Sequence, residues 1–147
     1  MAEIMSHIEE IVITAPIFRN VQFGHKKEVI CVYDFAVDTG AVGTYALCQL
    51  QNNTVITNVL IDIITAFVTT SNDGTISLGI NSAVDLLNTV DADTIGAAGA
   101  IAAGIPVGTA GSAVKVTTTG DVYLTIATHA VTAGKVIIHI EYFEGGE

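Results

Sequence analysis

The stretch "DVYLTIATHAVTAGKVIIHIEYF" (121–143) decides the fold. Apolar residues occupy every second position in both of its halves: Val122, Leu124 and Ile126 in the first, and Val136, Ile138, Ile140 and Tyr142 in the second. Side chains that recur with a period of two lie on one face of a β-strand. Alternation with one wetter face is typical of antiparallel sheets, so the stretch predicts two antiparallel strands.

Further strands are predicted upstream, where β-branched and aromatic residues are frequent. They are "EIVIT" (10–14), "EVICVYDFAVD" (28–38), "TYALCQL" (44–50), "TVITNVLIDIITAFVTT" (54–70) and, after the turn "SNDGT" (71–75), "ISLGI" (76–80). We therefore expect an all-β fold, an antiparallel β-sandwich or a jelly-roll-like barrel with one short helix. A chain of 147 residues is the size of one domain, so we expect a single β-rich domain over residues 1–147.

Two local predictions concern connections between strands. The apolar spacing of "NSAVDLLNTVD" (81–91), with Asp85 in its first turn, predicts the short helix. The segment "TTGDV" (118–122) predicts a hairpin in which Gly120 supplies a positive φ.

The two cysteines, Cys31 and Cys48, lie in two of the predicted strands and match no metal or redox spacing. They can pack as buried thiols, or they can form a disulfide if their strands are neighbours. The sequence leaves both states open.

The composition restricts the classes of partner. Half of the residues are hydrophobic and only 14% are charged, against about 25% in ordinary soluble proteins. Such a chain either enters a membrane or has much of its surface covered by copies of itself or by another protein. The net charge of −10, with five Lys and Arg residues, argues against nucleic acid as a partner because phosphate contacts need clustered cations.

The stretch "TIGAAGAIAAGIPVGTAGSAV" (94–114) contains no charged residue and no histidine. Its five glycines and Pro106, and its lack of leucine and aromatic residues, are unsuited to a transmembrane helix. It also lacks the glycine spacing of a dinucleotide-binding loop. We expect no membrane partner, and a Gly/Ala-rich connection that packs tightly against the sheet or a neighbouring subunit.

No motif in the sequence indicates catalysis, a cofactor or a metal. The four histidines are scattered, and Asp91 and Asp93 lack the further oxygen ligands of a calcium loop. The glycine spacing of a serine-hydrolase elbow is also missing. We therefore predict a non-enzymatic protein without catalytic, cofactor-binding or metal-binding residues.

One cluster of cations stands out in "RNVQFGHKK" (19–27), which contains Arg19, Lys26 and Lys27 next to the apolar residues Phe18 and Phe23. One interpretation is a solvated loop. The other is a docking patch for an acidic partner, since interfaces combine apolar anchors with charge steering.

The C-terminal half resembles small structural proteins of tailed bacteriophages, in particular capsid decoration (cement) proteins. The resemblance spans residues 76–143 and follows the order of "SLGINSAVDLLNTVD", the Gly/Ala-rich segment, "IPVGTA", a strand with a lysine, and the closing "VTAGKVIIHIEYF". It implies a β-rich homotrimer without an active site, located on the virion at the outer capsid surface and bound to the major capsid protein.

The resemblance also implies an N-terminal arm that reaches onto the shell or a neighbouring subunit. Residues 1–13 are the candidate for this arm, although they are equally compatible with a first strand or a disordered end. The predicted interface residues are Ile4, Met5, Ile8, Phe18, Arg19, Phe23, Lys26 and Lys27.

We therefore expect a virion structural protein that stabilises the capsid shell. The alternative is a receptor- or glycan-binding module of a phage fibre or tail, and a third, weaker alternative is a hydrolase in an all-β fold. A glycan-binding module would expose clustered aromatic residues at one end of the fold.

Overall fold

The computed structural model describes residues 25–145, which form two antiparallel sheets packed face to face. The strands are β1 (Lys26–Asp34), β2 (Gly43–Leu50), β3 (Val55–Thr69), β4 (Thr75–Gly79), β5 (Leu87–Asp91), β6 (Ile101–Val107), β7 (Val114–Lys115), β8 (Gly120–Ala127) and β9 (Val131–Phe143). A helical turn, α1 (Phe35–Asp38), follows β1, and 3₁₀ turns occupy Ala92–Thr94 and Ala110–Ser112.

The larger sheet has the strand order β1-β9-β3-β6, with the two-residue β7 paired to β3, and the smaller sheet has the order β2-β8-β4-β5. Without β7, this is the eight-strand order of a jelly roll, in which two Greek keys wrap into two sheets. The all-β prediction is confirmed, and the jelly roll is the form that it takes.

The core lies between the two sheets and follows the predicted alternation. Val122, Leu124 and Ile126 of β8 face Val136, Ile138 and Ile140 of β9 across the interior, each at most 1% exposed. Burial of each such side chain stabilises the fold by about 1.5–3 kcal/mol.

The predicted helix at 81–91 is wrong. Residues 81–86 form a loop, and Leu87–Asp91 is the strand β5. The carboxylate of Asp85 accepts hydrogen bonds from three backbone N–H groups, those of residues 80–82, at 2.9, 3.0 and 3.2 Å. A side chain that satisfies three successive backbone donors stabilises a loop at the expense of a helix.

The predicted hairpin at 118–122 is also wrong, because β7 pairs with β3 whereas β8 pairs with β2 and β4. The segment therefore connects the two sheets, and Gly120 is not among the glycines with positive φ. The Asn81 side chain holds this connection, donating to the carbonyl of Lys115 at 2.8 Å and accepting from the N–H of Thr117 at 3.1 Å.

The strand predicted for 28–38 ends early, at Asp34, where the chain enters α1. The Asp34 carboxylate caps this turn by accepting from the N–H of Ala36 at 3.0 Å, and the N–H of Asp34 donates to Asp38 at 2.9 Å. Reciprocal capping of this kind favours a helix start over a longer strand.

A disulfide joins Cys31 of β1 to Cys48 of β2, with the two Cα atoms 6.2 Å apart. Because β1 and β2 are edge strands of different sheets, the bond closes the sandwich along one side. Of the two states that the sequence leaves open, the structure has the disulfide.

The uncharged stretch 94–114 holds β6 and the second 3₁₀ turn. Over residues 25–145, no helix has the length and apolar character needed to span a membrane. The arm proposed for residues 1–13 and the strand predicted at 10–14 lie outside the described residues.

Candidate interaction surface

The outer face of the larger sheet carries large apolar side chains that are exposed to solvent. We call this surface the apolar face and define it by Ile30 (55% exposed), Val32 (44%), Leu60 (40%), Ile101 (61%), Ile105 (40%) and Val107 (52%). Scattered apolar residues are normal on a protein surface, whereas a contiguous patch indicates a contact site.

The strand register brings four of these residues, Ile30, Val32, Leu60 and Ile101, into two adjacent rows. One row crosses the four strands β1, β9, β3 and β6, from Ile30 through His139 and Leu60 to Ala103. Residues directly opposite each other in antiparallel strands have Cβ atoms about 5 Å apart, so their side chains touch along such a row.

A second row runs parallel to the first, from Val32 through Ile137 and Asp62 to Ile101. Asp62 is half-buried and lies between two isoleucines. It is the one carboxylate among the members of these two rows, so a partner that covers the apolar face must provide a donor for it.

In β6 the large side chains face the solvent and the small ones face the core, which is the reverse of the usual arrangement. The large residues of "IAAGIPV" point outward, while Ala102, Gly104 and Pro106 point towards the interior. A Cβ on Gly104 would lie 2.5 Å from the carbonyl oxygen of Leu86 and 2.7 Å from Cβ of Val59. The small residues allow β6 to pack closely on the core, as expected for a Gly/Ala-rich segment, and its isoleucines are left at the surface.

Ion pairs within the chain border the apolar face on β1 and β9. They join Lys26 to Glu141 (2.8 Å) and Lys135 to Asp34 (3.4 Å), and Nδ1 of His139 lies 3.5 Å from the Glu28 carboxylate. The two lysine–carboxylate pairs therefore neutralise each other's charges at this border.

The pKa values of Glu141 and Lys27 reflect such pairs. The hydrogen bond from Lys26 lowers the pKa of the Glu141 carboxyl, and the hydrogen bond to Glu144, 2.6 Å away, raises the pKa of Lys27. In the interior, burial raises the pKa of Tyr33, whose hydroxyl donates to the carbonyl of Thr39.

Of the predicted interface residues, Lys26 and Lys27 begin β1 at the border of the apolar face, each paired with a carboxylate of its own chain. Because these carboxylates compete for the two ammonium groups, docking of an acidic partner here would have to displace them. Ile4, Met5, Ile8, Phe18, Arg19 and Phe23 lie outside the described residues.

The outer face of the smaller sheet is different in character. A row of hydroxyl-bearing residues crosses this sheet, from the exposed Thr44 through the half-buried Thr125 to the buried Ser77. Next to this row lies a shallow depression of ≈ 360 Å³, lined by Thr44, Ala46, Asp121 and Tyr123. Among residues 25–145, Phe143 is the one exposed aromatic residue, and it lies on the larger sheet.

The two aspartates considered as calcium ligands, Asp91 and Asp93, accept hydrogen bonds from backbone N–H groups. Asp93 accepts from the N–H of Thr69 at 3.0 Å, and Asp91 accepts from the N–H of Asp93 at 2.9 Å. Within the described part of the chain, no three His, Cys, Asp or Glu side chains are grouped so that they could hold a metal ion.

The sequence interpretation missed the residues of β6 because glycine, alanine and proline dominate the segment. A period of two was nevertheless present, since Ile101, Ala103, Ile105 and Val107 alternate with smaller or cyclic residues. Alternating size, and not alternating polarity, was the signal for the strand.

The comparisons with known proteins identify a shared fold. No protein-family model matches the chain, and no curated protein matches it. The chain is similar to a chain in the acidic stable capsid structure of Helicobacter pylori bacteriophage KHP30, with a TM-score of 0.56 and 14% identity over 82% of this chain and 93% of that chain.

Two further solved structures have the same fold. A chain of the cyanophage Pam1 capsid asymmetric unit gives a TM-score of 0.55 and 21% identity, covering 82% of this chain and 85% of that one. A chain of the Ralstonia phage GP4 capsid gives 0.53 and 19%, covering 82% and 86%. Because each alignment covers most of both partners, all three chains are close to this one in length.

Proposed function

We propose that this chain is a structural protein of a bacteriophage virion. On this proposal it binds the outer surface of the capsid as a homotrimer, contacts the major capsid protein and stabilises the shell. The observation that carries the proposal is the fold shared with chains of similar length in three phage capsid structures, over 82% of this chain.

The charge of the chain supports an outer location. A protein on the inner surface of a capsid faces the phosphates of the packaged genome, and a net charge of −10 would be repelled there. A protein on the outer surface does not face the packaged genome, so its negative charge is not repelled there. The ion-pairing of Lys26, Lys27 and Lys135 within the chain further reduces the positive charge that phosphate could bind.

The apolar face supports a protein that functions in contact with other subunits. Obligate interfaces resemble a domain core cut in half, and a face with Ile101 at 61% and Ile30 at 55% exposure has that composition. Contacts repeated around a shell stabilise it additively, without chemistry at any one site.

The test uses a phage whose genome encodes the chain. Virions that lack it should release their DNA at a lower temperature than wild-type virions, as measured by a DNA-binding dye. Addition of the purified chain should restore the wild-type temperature. The proposal fails if mass spectrometry does not find the chain in purified wild-type virions, or if virions without it are as heat-stable as wild type.

The alternative, a receptor- or glycan-binding module, is favoured by one observation, the depression that contains Asp121 and Tyr123 on the smaller sheet. Carboxylates bind sugar hydroxyls, and sugar rings pack on aromatic side chains. Glycan binding by the purified chain, abolished by Tyr123→Ala and retained by Thr132→Ala on the larger sheet, would support this alternative.

A further inference from the structure

We infer that the apolar face is an interface between copies of this chain, so that a second copy is its partner. This inference rests on the proposed homotrimer. It assigns the contact between subunits to one surface of the fold. The surface is made by Ile30, Val32, Leu60, Ile101, Ile105 and Val107.

The size of the apolar face fits the centre of a stable interface. It spans four strands about 4.8 Å apart and two rows about 6.8 Å apart, with Ile105 and Val107 extending it along β6, which gives an area on the order of 250 Å² once side-chain widths are included. A stable protein interface buries about 800 Å² on each partner, with an apolar core and a polar rim. The apolar face supplies the core, and the bordering ion pairs supply the rim.

The distribution of charge favours a second copy over an acidic or basic partner. Each copy has a net charge of −10, so two copies can approach closely only where their surfaces carry little net charge. Three of the four lysines within residues 25–145 lie on β1 and β9, at this border, and each is paired with a carboxylate.

Apart from Asp62, the unpaired carboxylates of the described residues lie outside the two rows of the apolar face. Six aspartates belong to α1, the loops and the smaller sheet: Asp38, Asp73, Asp85, Asp91, Asp93 and Asp121. Association through the larger sheet therefore keeps Asp91 and Asp121, which lie on strands of the smaller sheet, away from the contact.

The apolar face must be covered as soon as the chain folds, and this also favours a second copy of the chain as its partner. A contiguous apolar surface on a sheet is an aggregation hazard as soon as the protein folds. Copies of the chain are made together, so they are available at that moment. Asp62 limits how they pack, because a half-buried carboxylate needs a donor from the neighbouring copy and so favours one orientation.

The experiment measures the mass of the full chain in solution by light scattering across a dilution series. Wild type should form an oligomer with a mass that is a multiple of 15.3 kDa. Ile101→Glu and Ile30→Glu each place an unpaired charge in the interface and should weaken association about 100-fold or more. Val37→Glu is the matched control, since Val37 is 77% exposed on α1 and is not one of the six residues that define the apolar face, and this variant should associate like wild type.

Circular dichroism and thermal unfolding verify that the variants are folded, and both substituted side chains are already exposed in the isolated chain. The inference is overturned if wild type is a monomer at every concentration, or if both glutamate variants keep the wild-type mass. Binding to capsids is measured separately. A wild type that is monomeric but binds capsids would overturn the inference and the homotrimer and leave the capsid role standing. A wild-type oligomer that Ile101→Glu dissociates, but that does not bind capsids, would overturn the capsid role and leave the inference standing.

Discussion

Cys31 and Cys48 are 17 residues apart in the chain and connect the edge strands of two different sheets. In the described residues, β1 and β2 belong to no common sheet, so no ladder of backbone hydrogen bonds joins them. The disulfide is therefore the covalent link between the two layers at this side of the sandwich.

Reduction of this disulfide is expected to destabilise the fold by about 3 kcal/mol, the chain-entropy estimate for a loop of this length. The measurement is chemical denaturation with and without a phosphine reductant. The double variant Cys31→Ala/Cys48→Ala should be insensitive to the reductant. Equal stability of the wild type in both conditions would contradict the prediction, and alkylation followed by mass spectrometry would show whether the thiols had been released.

Gly134→Ala is expected to destabilise the chain strongly. Gly134 has φ +145°, and a Cβ there would lie 2.7 Å from Cε1 of Phe67, whose ring stacks on Tyr33. The backbone strain alone costs about 1–3 kcal/mol, and displacement of a core ring adds to it. Gly111→Ala is the control, because a Cβ at Gly111 meets nothing within 4 Å. Thermal unfolding compares the two variants, and equal melting temperatures would disprove the strain at Gly134.

Asp85→Ala is expected to lower the free energy of unfolding by about 1–3 kcal/mol, since three backbone N–H groups lose their acceptor. Hydrogen exchange should accelerate at the amides of residues 80–82. Asp121→Ala, which removes an exposed carboxylate from β8, should change neither quantity. Unaltered exchange at residues 80–82 in Asp85→Ala would count against a role for this carboxylate in holding the loop.

Lys26→Met is expected to raise the pKa of Glu141 towards the ordinary glutamate value of about 4.3, because the hydrogen bond that lowers it is lost. Carboxyl NMR titration measures this shift. Lys135→Met removes a lysine from the other end of β9 and should leave Glu141 as in the wild type.

The same pair makes stability depend on pH. The pKa of Glu141 is lower in the folded chain than in the unfolded chain, so the Lys26–Glu141 pair stabilises the fold above about pH 4.3. This contribution is lost as the pH falls through the lowered pKa. The stability difference between wild type and Lys26→Met should therefore shrink on acidification, and a difference that grows would reverse the predicted sign.

The sequence predicted those strands in which apolar and more polar residues alternate, because this alternation reflects which side chains face the core. β8 and β9 alternate because one face of each meets the core, and this requires only nearby residues. The helix at 81–91 was wrong because Leu86 and Leu87 are buried by a loop and a strand start, a spacing that a helix would also produce. The hairpin at Gly120 was wrong because the partner of Val114 is Ile56, a pairing that no local turn signal encodes.

The candidate interface was harder to predict than the fold. Ile30 and Val32 were assigned to a strand, but their exposure depends on which of the two faces of β1 is inward, and Cys31 and Tyr33 occupy the inward face. The rows that join them to β6 arise from pairing between residues 39 to 109 positions apart in the chain. The low fraction of charged residues indicated that part of the surface is covered by another subunit. The strand register of the larger sheet shows which part of the surface is apolar.

The register that places Lys26 opposite Phe143 also determines how the sandwich bears mechanical load. A pull that separates these two neighbouring ends opens the β1–β9 pair one hydrogen bond at a time, as a zipper opens. The peeling stops at Cys31, where the covalent bond transfers the force to β2 in the other sheet. At most residues 26–30 are released, an extension of about 17 Å, so the disulfide limits the extension of a protein under tension.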